Sequence, residues 1–84
     1  MAHTISILRR AQKELAQLPS RAYEQVRDVI RDLAHNPRPP GCIKLTARPG
    51  WRLRVGDYRL IYEINDKKQS VLILHIGHRR DIYR

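Results

Sequence analysis

The sequence has a single cysteine, Cys42, so no disulfide can close within the chain and no second thiol completes a metal-binding motif. No apolar run approaches the roughly 20 residues that a membrane-spanning helix needs. The opening MAHTISILRR carries neither the long apolar stretch nor the small-residue cleavage site of a secretory signal. Repeats and low-complexity segments are also missing. These absences lead to the expectation of cytoplasmic residence, with no membrane partner, no metal and no cofactor. Acidic residues are scarce as well: eight Asp and Glu stand against seventeen Lys and Arg, a net charge of +9. A surface with that balance attracts polyanions, either nucleic acid or an acidic protein.

What is present fits one domain spanning 1–84. A hydrophobic fraction of 42% is enough for a modest core, and 84 residues leave room for only one. The positive charge is unevenly placed. Residues 1–36 hold six basic and four acidic side chains, whereas residues 37–84 hold eleven and four.

Residues 3–8 are short and partly β-branched, which predicts a first strand. From Arg9 to Leu18 the period becomes helical, with Ala11, Leu15 and Leu18 on one stripe and Arg10, Lys13, Glu14 and Gln17 facing water. Pro19 ends that helix, and Ser20 is the expected N-cap of the next. In the second helix Tyr23, Val26, Ile30 and Leu33 form a core-facing stripe, with Ala22 and Val29 beside them. Three prolines between Asn36 and Gly41 exclude further helix. The segment from Cys42 to Gly50 has no clear pattern, and Cys42 reads as a small hydrophobe within it.

From Trp51 to Gly77 the pattern becomes a three-stranded meander. Trp51, Leu53 and Val55 alternate with Arg52 and Arg54; Tyr58, Leu60, Tyr62 and Ile64 alternate with Arg59, Ile61 and Glu63; Leu72, Leu74 and Ile76 alternate with Val71, Ile73 and His75. Gly56–Asp57 suits a two-residue hairpin turn, and Asn65 to Gln69 is polar enough for the second loop. The expected fold is therefore α+β, an antiparallel sheet with an N-terminal strand and a helical hairpin packed on one face, in the order β-α-α-β-β-β.

Register turns this pattern into a functional expectation. A tight turn at Gly56–Asp57 sets Arg54 opposite Arg59 and Leu53 opposite Leu60. A loop of Asn65 to Gln69 sets Tyr62 opposite Leu72 and Arg59 opposite His75. Arg52, Arg54, Arg59 and His75 then share the face that the helices leave open. Like charges directly opposed destabilise a sheet by roughly 0.2–1 kcal/mol. Two arrangements relieve that cost: side chains splayed into water, or an anion held between them. Guanidinium forks bind phosphate bidentately and stay charged at physiological pH, which favours phosphate as the anion.

Lys44–Leu45, the run Trp51-Arg-Leu-Arg-Val-Gly-Asp-Tyr-Arg-Leu-Ile-Tyr-Glu-Ile64 and the run Val71-Leu-Ile-Leu-His-Ile-Gly-His-Arg-Arg-Asp-Ile-Tyr83 resemble the RelE/ParE superfamily of type II toxin–antitoxin toxins, on its RelE side. The resemblance covers essentially the whole chain. It implies a metal-independent, ribosome-dependent endoribonuclease that cleaves mRNA by 2′-hydroxyl attack on the adjacent phosphate. It implies an acidic, RelB-like antitoxin as partner, through which the complex binds its own operator DNA. By position it assigns catalysis to Arg52, Arg54, Arg59, Arg79 and Tyr83, and contacts with mRNA or the ribosome to Lys44, Arg48, His75, His78 and Arg80.

One departure has chemical weight. The best-known pattern of the family has lysines where this chain has Arg52 and Arg54. Arginine is a poor proton carrier, so either the base comes from elsewhere, with His75 and His78 the nearby groups that titrate near neutrality, or the enzyme is simply slow. Two other functions suit a basic domain of this size. A ParE-like poison of DNA gyrase needs no phosphate site, and a simple nucleic-acid-binding module shows a steep salt dependence without turnover.

Overall fold

The computed structural model describes residues 2–78. Its elements are β1 (Thr4–Ile7), α1 (Arg9–Ala16), α2 (Ser20–Leu33), β2 (Ile43–Lys44), β3 (Trp51–Val55), β4 (Tyr58–Asn65) and β5 (Ser70–His78). The sheet order is β1-β5-β4-β3-β2. Strands β2 to β5 form an antiparallel meander, and β1 lies parallel to β5, with Ile7 beside Ile73. The sheet is therefore mixed. The two helices between β1 and the meander supply the long crossover that a parallel pairing needs. The α+β architecture, with a helical hairpin following the first strand, is as the pattern predicts.

Periodicity explains which faces are buried. Ala11 of α1 and Val26, Ile30 and Leu33 of α2 pack with Leu53, Val55, Leu60, Tyr62, Val71, Ile73 and Ile76 of the sheet. Leu15, Leu18, Trp51, Tyr58 and Cys42 pack around them, partly buried. Two details of the helices differ from expectation. Ser20 is already helical; Pro19 occupies the capping position without a side-chain cap, and its carbonyl accepts the Tyr23 N–H at 2.8 Å. Tyr23 is exposed rather than core, with the Arg27 guanidinium 5.8 Å from its ring centre. An amphipathic ring held against a cation one turn away does not need burial.

The β4–β5 loop is one residue shorter than expected, and this shifts the register of β5. Asn65 pairs with Ser70, and the Asn65 side-chain oxygen accepts the Lys68 N–H at 3.0 Å to close the turn. Gln69 takes a left-handed φ of 49°. As a result Ile64 faces Val71 and Tyr62 faces Ile73, so Val71 and Ile73 enter the core in place of Leu72 and Leu74. The register then skips Leu74, and beyond this bulge Ile61 faces His75, Leu60 faces Ile76 and Arg59 faces Gly77. The expected Arg59–His75 opposition is replaced accordingly. The run Val71-Leu-Ile-Leu is apolar at both parities, so alternation alone could not choose between the two registers.

The proline-rich connection is tied down at two points. Tyr62, fully buried, donates its hydroxyl to the Pro37 carbonyl at 2.8 Å. Burial pushes this phenol above the ordinary tyrosine range. Arg38 binds Asp66 through both guanidinium nitrogens, at 2.9 and 3.3 Å, and this pairing holds the Asp66 carboxyl below its usual value. The Tyr62 bond is part-buried and ties the proline-rich connection to the core side chain. Tyr62→Phe is expected to lower unfolding free energy by about 1 kcal/mol. Urea titration checks this: an unchanged midpoint would show that the bond contributes nothing.

Candidate nucleic-acid interface

The β3–β4 hairpin has the expected register without change. Gly56, at a φ of 60°, takes the first turn position, where a two-residue hairpin favours glycine. Val55 faces Tyr58, Leu53 faces Leu60, Arg54 faces Arg59 and Arg52 faces Ile61. Alternation places the first two pairs under the helices and the last two on the opposite face. Two rows of side chains cross that face. One runs Arg54–Arg59–Gly77 and the other runs Ile43–Arg52–Ile61–His75.

Each row has a distinct chemistry. In the first, two arginines are direct cross-strand partners, and Gly77 adds no side chain beside Arg59. Arg54 turns its Nε back to the Gly56 carbonyl at 2.9 Å, which fixes its stem beside the turn. In the second row Ile61 is only 4% exposed, although it lies outside the helix-packed core. It forms an apolar floor between Arg52 and His75.

His75 is held from the side. Its Nδ1 lies 2.8 Å from one Glu14 oxygen and 2.7 Å from the other. The same carboxylate accepts the Ile76 backbone N–H at 2.9 Å and the Arg10 Nε at 3.4 Å. Glu14 was expected to face water. It instead reaches around the edge of β5, where β1 has ended at the level of Ile73. Nothing in the helical period signals this contact, because it depends on how α1 lies against a strand 61 residues away.

The structure separates the remaining candidates from this face. Lys44 pairs with Trp51, which places it on the opposite side of the sheet, 6.0 Å from the indole centre, with Arg38 at 5.2 Å from the same ring. His78 pairs with Tyr58, also on the opposite side, and the two rings meet edge to face at 5.6 Å. Arg48 is exposed in the turn before β3. Arg79, Arg80 and Tyr83 lie outside the described residues. Lys44 and His78 therefore do not join Arg52, Arg54, Arg59 and His75 in one surface.

Opposed arginines carry a stability cost that a ligand anion would relieve. Arg54→Thr is expected to raise unfolding free energy by about 0.2–1 kcal/mol while weakening affinity for single-stranded RNA. It should also flatten the slope of log K against log salt by about 0.7. Denaturant titration and salt-dependent RNA binding test the two halves; a variant that is less stable yet binds RNA as before would show that the pair holds no anion.

Comparison with known proteins identifies the family and the fold. The family model described as "ParE toxin of type II toxin-antitoxin system, parDE" matches residues 5–83. The chain is 34% identical to Toxin RelG of Mycobacterium tuberculosis, over 100% of its own length and 99% of that protein. It is 30% identical to the mRNA interferase toxin RelE of Escherichia coli, covering 94% of this chain and 85% of that one. Among solved structures, the toxin–antitoxin complex RelBE2 of M. tuberculosis superposes with a TM-score of 0.83 at 29% identity, covering 94% of this chain and 100% of its counterpart. The archaeal RelE–RelB complex of Pyrococcus horikoshii gives 0.82 at 28% identity, with 96% and 99% coverage. Matched along nearly its whole length by the family model and by curated toxins, the chain belongs to the RelE/ParE superfamily and is a type II toxin.

Proposed function

We propose that this toxin is a ribosome-dependent endoribonuclease that cleaves mRNA and thereby stops translation. The observation that carries this reading is the cross-strand pair Arg54–Arg59 with Arg52 beside it on the sheet face opposite the helices. In the proposed reaction the RNA 2′-oxygen attacks the adjacent phosphorus, the bond to the 5′-oxygen breaks, and negative charge builds on the non-bridging oxygens. Fixed guanidinium groups are suited to that charge, since they bind phosphate oxygens in pairs and never lose their proton. Arg79 supplies a further cation and Tyr83 stacks on a base or orients the phosphate. Lys44, Arg48, His78 and Arg80 hold mRNA or ribosomal RNA backbone away from the chemistry. No step is routed through a metal or cofactor.

The similar solved structures are RelB–RelE complexes, which supports an acidic RelB-like antitoxin as this chain's partner. Complementary charge favours a segment that lies over the basic second half and covers the arginine face. Operator binding by the complex is assigned to the antitoxin, and the site of action to the cytoplasm, where ribosomes are found.

Purified protein added to a translation extract tests the reading. Cleavage of mRNA only when ribosomes are present is expected; inhibition of gyrase supercoiling with intact mRNA would replace it with a ParE-like mechanism. Arg59→Ala and Arg79→Ala should each lower the cleavage rate by about 10²–10³-fold and relieve growth inhibition, without loss of the folded state. Full toxicity in both variants would remove these residues from the site.

A further inference from the structure

Guanidinium groups can hold the phosphate but cannot take the 2′-hydroxyl proton at neutral pH. Among the described residues of the arginine face, His75 is suited to that task, whereas the Glu63 carboxylate lies four residues along β4 from Arg59. His75 sits opposite Ile61, which separates it from Arg52, and one diagonal step from Arg59, whose own partner is Gly77. Diagonal positions across antiparallel strands are about 7–8 Å apart, within reach of long side chains.

The bulge is what brings His75 there. Val71 and Ile73 face the helices, so unbroken alternation would turn residue 75 inward as well. Skipping Leu74 reverses the parity and aims His75 at the arginine face while returning Ile76 to the core. Bulges that redirect a side chain in this way are common next to active sites.

Glu14 then sets the state of the ring. An ionised carboxylate only accepts hydrogen bonds, and Glu14 already accepts from the Ile76 N–H and from Arg10. Nδ1, at 2.7–2.8 Å from both its oxygens, must therefore carry the hydrogen. In the neutral ring this leaves the lone pair on Nε2. Among the described residues, the charged or titratable groups around His75 are Glu14 and Arg10 of α1, Arg52 of β3, Tyr58, Arg59 and Glu63 of β4, and His78 of β5.

We propose that His75 is the general base of RNA cleavage and that Glu14 is its positioning residue, an assignment that rests on the RNA-cleavage reading above. Nε2 takes the proton of the 2′-hydroxyl as its oxygen bonds to phosphorus. The phosphorus–O5′ bond breaks, and the 5′-oxygen leaves with a proton drawn from water. The imidazolium returns its proton to the hydroxide so formed. The products are a 2′,3′-cyclic phosphate and a 5′-hydroxyl, and nothing is oxidised or reduced.

Single-turnover cleavage of ribosome-bound mRNA, followed from about pH 5 to about pH 8, tests this assignment with the whole chain. The wild-type rate is expected to rise with pH across that range. His75→Gln should lose 10²–10⁴-fold at the upper end, together with the rise. Glu14→Gln, which keeps an acceptor for the Ile76 N–H, should lose about 10–100-fold. Added imidazole should restore part of the rate to His75→Ala, a rescue that a merely structural histidine would not show. Ribosome co-sedimentation should match wild type throughout, and each variant should remain folded at the assay temperature. If wild type cleaves and His75→Gln cleaves equally with the same pH profile, the base assignment falls and the nuclease reading stands. A His75→Ala protein that melts normally and gains nothing from imidazole overturns it equally. If wild type cleaves nothing, both fall together.

Discussion

The opposition of Arg54 and Arg59 is the constraint around which the surface is organised. It follows from a two-residue turn at Gly56–Asp57 and cannot be relaxed independently of the core. The register that places Leu53 over Leu60 beneath the helices also places the two arginines together outside. Slipping the hairpin by one residue to separate the charges would expose the leucines and bury guanidinium groups, at a far greater cost than one like-charge contact. Hydrophobic burial thus holds a charge cluster that electrostatics alone would disperse. The backbone positions of these cations are thus set by the core rather than by whatever the side chains bind.

The second strand pair adds what the first lacks. Four residues of β5 pair with β1, and the strand then runs on without it. Along the edge that β1 leaves, the bulge at Leu74 and the Glu14 side chain meet. Glu14 joins α1 to β5 through one backbone and one side-chain contact, so it satisfies an edge N–H that would otherwise invite another strand and holds the histidine beside it. A carboxylate that looks like part of a solvated helix face is therefore integral to the sheet.

Much of this was legible in the sequence, for specific reasons. The helices followed from stripes at spacings of three and four, and the arginine pair followed from one hairpin whose turn residues and alternation agreed. The β4–β5 register was not legible, because Val71 to Leu74 is apolar at both parities and leaves the loop length to decide. His75 was correctly placed on the arginine face, but for the wrong reason. The predicted register and the observed bulge give residue 75 the same face through different partners, Arg59 in one case and Ile61 in the other. Lys44 and His78 lie beyond the pattern's reach because their faces depend on β2 and on the far side of the bulge. The Glu14 contact depends on helix placement, which no local signal encodes.

Side-chain NMR with an uncleavable RNA is the most direct measurement of whether this face holds phosphate. Nε–Hε resonances of Arg52, Arg54 and Arg59 and the ring signals of His75 would be followed while a short 2′-deoxy oligonucleotide is added. If the face is a phosphate site, these four residues shift together and saturate at one concentration, while Arg38 and Lys44 on the opposite side respond weakly. Shifts centred on Arg38, Lys44 and Trp51, with Arg54 and Arg59 unmoved, would contradict the account.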